Sequence, residues 1–304
     1  MLKTPTIASA FNHTKSMAWV KVDITDKHIT LNCIANDIVA MLPLQAAQLT
    51  CEYIVANYPP PYNLMVSGGI DSQAMIYAWM QSGFDFNVVA FRYNGDMNAH
   101  DLDQLSEFAQ KHNIAVEYHD LDLLYFLEHE YHNYAVTYHC TSPHICTHMK
   151  MTESVDGTAI FSGNFIQNRA VFVTDALLGL ARYADQTNKA IVPFYFLETP
   201  ELAYSLQPIH NKFTYNAETG YAVKVQAYQA AGFPVIPQAE KYTGFEKVKD
   251  YYDIHYKDRV KVTTRIEFAK KPSKRVFDLL LRYPYEKLLG ERLVQVLTNE
   301  SSSS

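Results

Sequence analysis

Ser67-Gly68-Gly69-Ile70-Asp71-Ser72 packs two hydroxyls, two glycines and a carboxylate into six residues. The run follows the apolar stretch Leu64-Met65-Val66 directly and precedes a helix-like segment directly. A strand, a glycine turn and a helix start together suit a phosphate group. Glycines let backbone N–H groups approach phosphate oxygens closely. The helix start aims its positive end at the same anion. Ser67 and Ser72 add hydroxyl donors. Asp71 should repel a polyphosphate, and its presence makes sense if Mg²⁺ lies between the two. The loop is not a Walker A motif, because no Gly-Lys-Ser/Thr follows at the required spacing.

A second cluster of chemically able residues is His139-Cys140-Thr141-Ser142-Pro143-His144-Ile145-Cys146-Thr147-His148. Cysteine and histidine are zinc ligands, but the Cys140 to Cys146 spacing is wider than that of ordinary zinc pairs. Pro143 in a first helical turn with Ser142 as its cap is the preferred reading. The chain has four cysteines and no CxxC pair, which argues against a disulfide scaffold.

These residues need a scaffold, and the sequence outlines one. With 304 residues and 48% hydrophobic content, a sizeable core is available. Residues 1–58 form a small α+β preface, with strands near Trp19–Ile24 and His28–Ile34 and a helix over Pro43–Tyr58 that the three prolines 59–61 terminate. Residues 59–200 alternate strand and helix. Strands are expected at Leu64–Ser67, Asn87–Phe91, Ala115–Tyr118, Thr158–Phe161 and Ala190–Val192, and helices at Ser72–Ser82, Asp101–His112 and Val171–Ala184. The alternation predicts an α/β fold, a doubly wound and mostly parallel Rossmann-like sheet. Ligands in such sheets bind at the carboxyl ends of the strands, where the glycine loop falls. Residues 201–300 read as mainly helical and as completing the site, with helices at Glu201–Leu206, Gly244–Ile254, Lys274–Tyr283 and Tyr285–Leu297. Residues 301–304 read as a disordered serine tail. The formal charge of −6 argues against a broad nucleic-acid surface and leaves room for a local basic patch. No apolar run is long enough to span a bilayer, and the N-terminus lacks a signal-peptide layout, so a cytoplasmic location is expected.

The six-residue loop resembles the SGGxDS signature of the PP-loop ATP pyrophosphatases, with the sheet of the HUP class that this implies. Phe91-Arg92-Tyr93-Asn94, Asn98-Ala99-His100-Asp101, Phe108-Ala109 and Leu121-Asp122-Leu123 are similar to the synthetase domain of asparagine synthetase. The resemblance implies ATP and Mg²⁺ as cofactors. It implies that Ser67, Gly68, Gly69, Ile70 and Ser72 bind pyrophosphate, that Asp71 holds the metal, and that Phe91 and Arg92 lie near the adenine. Arg92 could equally form a surface ion pair. The family's second glycine segment maps to Ser162, Gly163 and Asn164, and the acidic pair expected within Ser162–Asn168 is missing. Arg169 is the first candidate cation for the leaving pyrophosphate, and Lys271, within the cluster Lys270, Lys271, Lys274 and Arg275, is the second. That cluster also reads as a solvated basic face.

The resemblance implies an AMP-forming ligase that adenylates a small carboxylate for attack by nitrogen. The chain opens Met1-Leu2-Lys3, without the leading cysteine of a glutaminase, so free ammonia or a glutaminase partner is expected to supply that nitrogen. Modification of a nucleobase in tRNA or DNA, or a silent nucleotide-binding scaffold, are the competing readings. The deazaguanine nitrile synthases share the loop but carry a four-cysteine zinc cluster that is absent from this sequence.

Overall fold

The central strands are buried on both faces, and that sets the architecture. The computed structural model describes residues 20–24, 29–33, 39–138, 140, 143–163, 179–180, 182–210, 220–238 and 247. Five parallel strands form the main sheet: β3 (Tyr62–Val66), β4 (Asn87–Tyr93), β5 (Val116–Leu121), β6 (Thr158–Phe161) and β7 (Ala190–Val192). Their order is β5-β4-β3-β6-β7, the 3-2-1-4-5 pattern of a doubly wound Rossmann-like sheet. The expected α/β class is therefore present. The two strands β1 (Val20–Ile24) and β2 (Ile29–Cys33) form a separate antiparallel hairpin sheet.

One face of the main sheet presents Leu64, Val66, Val88, Ala90, Ile160 and Val192 to the first core. The residues between them, Met65, Val89, Phe91, Ala159, Phe161 and Ile191, face the second. Strands buried on both faces read as continuous apolar runs, which explains why sequence alone located them.

Helices α1 (Pro43–Asn57), α2 (Ile70–Ser82) and α3 (Ala99–His112) pack on the first core. Pro43 opens α1, and Ala46, Ala47, Cys51 and Ile54 drive it into the same core as the sheet. The second face is covered by a helical run absent from the sequence reading. It passes from Leu123–Tyr125 through a π-helical stretch, Phe126–Glu130, into α4 (Tyr131–Tyr138), and α5 (Pro143–Met151) follows. Beyond the sheet, α6 (Pro200–His210) and α7 (Gly220–Ala230) bring Leu202, Leu206, Val225, Tyr228 and Phe233 back onto the first core. The sequence reading ended α6 at Leu206 and missed α7. Of the helix expected at Gly244–Ile254 only Lys247 is described, and the last two expected helices lie outside the described residues. Among the described residues, no helix is long and apolar enough to cross a membrane.

Candidate nucleotide site

β3 ends at Val66, and the chain turns at once into α2. The Ser67 N–H donates to Ser72 Oγ at 3.3 Å, which folds the turn over the helix start. Gly68 has φ +87, and a Cβ there would sit 1.9 Å from the Asp101 carbonyl oxygen. The fold itself therefore demands glycine at this position. Gln73, fully buried, pins the turn from behind by donating Nε2 to the Gly68 carbonyl at 2.9 Å. Gly69 differs. It has φ −61 and ψ 160, and an added Cβ would meet only Ser67 Oγ at 3.6 Å. Neither backbone nor packing requires a glycine there. Glycine suits this position as the N-cap of α2, and it also leaves the backbone open to close approach by a ligand. Ile70 buries its side chain in the core, so its contribution to a ligand is its backbone N–H. No side chain caps α2. The first N–H groups of that helix thus face the turn without side-chain partners at the cap.

Asp71, in the first turn of α2, meets two residues the sequence reading did not find. Lys224 Nζ lies 2.5 Å from Asp71 Oδ2, and the Tyr228 hydroxyl donates to Asp71 Oδ1 at 2.5 Å. Lys224 and Tyr228 stand four apart on α7 and so share a face. Lys224 is 8% exposed and Tyr228 is fully buried. Burial pushes the Tyr228 hydroxyl well above the usual tyrosine range, and the Asp71 carboxylate adds to that. The phenol is therefore a fixed donor.

This arrangement bears on the Mg²⁺ expected at Asp71. Both carboxylate oxygens already accept, one of them from an ammonium. A divalent ion about 4 Å from that ammonium would meet a repulsion of roughly 8 kcal/mol at an effective dielectric near 20, twice the figure for unit charges. Among the described residues, no group of three or more His, Cys, Asp or Glu could hold a metal ion. With one oxygen on the Lys224 ammonium and the other on the Tyr228 hydroxyl, the Asp71 carboxylate as arranged here does not fit a metal.

The neighbouring strand end is held by Asn98. Its Nδ2 donates to the Phe91 carbonyl at 2.7 Å, and its Oδ1 accepts from the Tyr93 N–H at 2.9 Å. Phe91 packs its ring in the second core, against His119 at 5.3 Å. Arg92 forms a two-pronged ion pair with Asp120, at 2.8 and 3.1 Å, and lies 5.8 Å over the Tyr118 ring. The two residues are direct cross-strand partners in the β4–β5 register, which explains why the guanidinium turns outward. Of its two expected roles, the structure displays the surface ion pair.

Met65 pairs with Phe161 in the β3–β6 register, so the glycine loop and Ser162-Gly163 leave the sheet side by side. This is where the strand order reverses, the crevice in which doubly wound sheets bind ligands. Gly163, at φ +65, leaves no room for a Cβ, which would lie 2.2 Å from the Phe194 ring. The Phe196 N–H donates to the Ser162 carbonyl at 3.4 Å. Asn164, Arg169 and Lys271, with the rest of its basic cluster, lie outside the described residues.

α5 opens at Pro143 as expected, while Ser142 lies outside the described residues. His148 stacks on Phe161 at 4.4 Å, with the His144 ring 4.2 Å away. Burial and the adjacent His144 hold His148 well below the usual histidine range. Cys140 and Cys146 are buried free thiols, and Cys146 Sγ donates to the Cys140 carbonyl at 3.6 Å.

A polar strap closes the other side of the loop. Gln73 accepts from the Ile236 N–H at 2.7 Å and donates to the Ile236 carbonyl at 3.3 Å. Gln238 Nε2 donates to Asp101 Oδ1 at 2.8 Å, and its N–H donates to the Tyr221 hydroxyl at 2.7 Å. The only sequence signal for this assembly was the spacing of Tyr221, Lys224 and Tyr228 along one helix face. Two surface hollows, of about 540 and 570 Å³, open at the opposite, amino edge of the sheet, around Pro61 and Phe86 and around Asn87 and His112. The loop at the carboxyl edge is the better candidate, because strand ends and helix starts converge there.

No family model matches the chain, and no curated protein matches it. Among solved structures the chain is similar to a glutamine-dependent NAD+ synthetase from Acinetobacter baumannii in complex with adenosine diphosphate, at 12% identity and a TM-score of 0.33. The similarity covers 84% of this chain and 48% of that one, so the chain spans less than half of that synthetase's length.

Proposed function

We propose that this protein is an ATP-using, AMP-forming enzyme of the PP-loop type that activates a small carboxylate for attack by a nitrogen nucleophile. The observation that carries the reading is the Ser67–Ser72 loop at the carboxyl end of β3, where the strand order reverses, with a glycine at position 69 that the fold does not need. In the proposed reaction the substrate carboxylate oxygen attacks the α-phosphorus of ATP, and the bond to pyrophosphate breaks. The resulting acyl-adenylate carries AMP, a far better leaving group than oxide. Nitrogen, from free ammonia or a partner glutaminase, then adds to the carbonyl and expels AMP.

The protein's part is positioning and charge neutralisation. The N–H groups of residues 68–70 and the Ser67 hydroxyl would hold the departing pyrophosphate, and the start of α2 would stabilise its charge. The crevice between the β3 and β6 ends would receive the remainder of the nucleotide.

A second reading is a nucleotide-binding scaffold without turnover. Two observations favour it: Asp71 is already occupied, and Ser162–Asn168 contains no acidic residue. ATP–pyrophosphate exchange across a panel of small carboxylates tests both readings. The expected result is acceptor-dependent exchange, with AMP and pyrophosphate formed in equal amounts. Formation of ADP and phosphate would overturn the ligase reading. ATP binding without exchange for any acceptor would favour the scaffold.

A further inference from the structure

We propose that Asp71 is the anchor of Lys224 rather than a metal ligand, and that the Lys224 ammonium is the cation that meets the phosphate chain of the bound nucleotide. This rests on the reading of the loop as a nucleotide site. The geometry points to it in three ways. First, Lys224 is the ammonium that the tertiary structure brings to the first turn of α2, 2.5 Å from Asp71 and at the helix end whose N–H groups face the turn. A cation at the positive end of a helix is unfavourable unless an anion joins it. Asp71 supplies an anion beside that ammonium in the protein alone, and a bound phosphate would be a second anion facing the same ammonium and helix end.

Second, the pair is too enclosed for an ordinary surface bridge, with the two side chains 10% and 20% exposed. An enclosed ion pair contributes little stability against apolar residues of the same size, so its position beside the loop calls for another reason. Third, Tyr228 braces the far carboxylate oxygen from the same face of α7. That brace fixes the carboxylate plane, and through it the ammonium. Asp71 is thus a positioning residue and Lys224 the phosphate-contacting one.

Calorimetric titration with ATP, in EDTA and then in excess Mg²⁺, tests this without relying on turnover. The wild-type protein is expected to bind ATP in EDTA within about threefold of its affinity in Mg²⁺. Lys224→Met should weaken binding about 10- to 100-fold in both conditions, and Lys224→Arg should recover most of that loss. Asp71→Asn should weaken binding by a similar factor, and adding it to Lys224→Met should cost little more, since both act through one contact. A merely structural pair would lower the melting temperature and leave the affinity of the folded protein unmoved. Binding that appears only with Mg²⁺, falls in Asp71→Asn and is unchanged in Lys224→Met would overturn the inference while leaving the nucleotide site standing. Should a variant fail to fold, the metal comparison on the wild-type protein still tests the inference, because binding that requires Mg²⁺ would overturn it. Absence of ATP binding under both conditions would overturn the nucleotide site and this inference together.

Discussion

A methyl group at Gly68 would lie 1.9 Å from the Asp101 carbonyl, in a backbone conformation that L-residues avoid. Gly68→Ala is therefore expected to lower the unfolding free energy by about 2–4 kcal/mol in urea titrations. Gly69→Ala meets no such conflict, and its effect on stability should stay within about 1 kcal/mol, the scale of a helix-cap change. If position 69 exists for ligand approach, the same variant should bind ATP at least about tenfold more weakly by calorimetry. Wild-type affinity in Gly69→Ala would remove the main support for the nucleotide site. The two residues look alike in the sequence. Only the position of the start of α3, folded back over Gly68, separates the glycine the fold needs from the one it can spare.

At the scale of elements, the loop is held by a segment far from it in sequence. Gln73 on α2 donates to the Gly68 carbonyl and both accepts from and donates to the Ile236 backbone. Gln73→Leu fills the same buried space and offers none of these bonds. The expected cost is about 2–4 kcal/mol, because several buried backbone groups lose a partner. Hydrogen exchange locates the damage. The Ile236 amide should exchange at least about tenfold faster, while the amides of β3 and β4 keep their relative protection. Uniform acceleration across the sheet would show that the strap and the sheet unfold as one unit. The helix that carries Lys224 and Tyr228 depends on the same neighbourhood, and Val225, Ala227 and Tyr228, with Phe233 just beyond the helix, dock it on the core of the sheet. α7 was missed in the sequence for a physical reason. Its buried residues include a lysine and a tyrosine, so its inner face is not an apolar stripe.

For the molecule as a whole, buried titratable groups bound the pH range of stability. Burial pushes the Cys51 thiol from its ordinary 9.0 up to about 12, and it raises the Tyr195 and Tyr228 hydroxyls well above 10.0. The native state keeps these protons after the unfolded chain has released them. This contribution is whole below about pH 9 and is lost as pH rises through the folded values. On the acid side, burial lowers His112 and His148 below their ordinary 6.5, and His112 Nε2 is buried without a hydrogen-bond partner among the described residues. Below about pH 6.5 the unfolded chain takes up protons that the native state refuses, so stability falls with pH. Chemical denaturation across pH should therefore show a plateau between about 7 and 9 with a decline on both sides. Stability that keeps rising above pH 10 would contradict the buried tyrosine and thiol assignments.

Short apolar strands, the glycine turn and the hairpin are local in cause, since burial on both faces and turn chemistry leave marks within a few residues. They were legible in the sequence, and so was the placement of the loop at a carboxyl strand end. The partners of Asp71 were not, because Lys224 and Tyr228 lie about 150 residues away and meet it through packing of α7 on the sheet. Sequence determined where the glycine loop falls, at a carboxyl strand end. Tertiary structure decided which cation stands beside it, because a side chain's charge partner is set by what the core brings near, not by what precedes it in the chain.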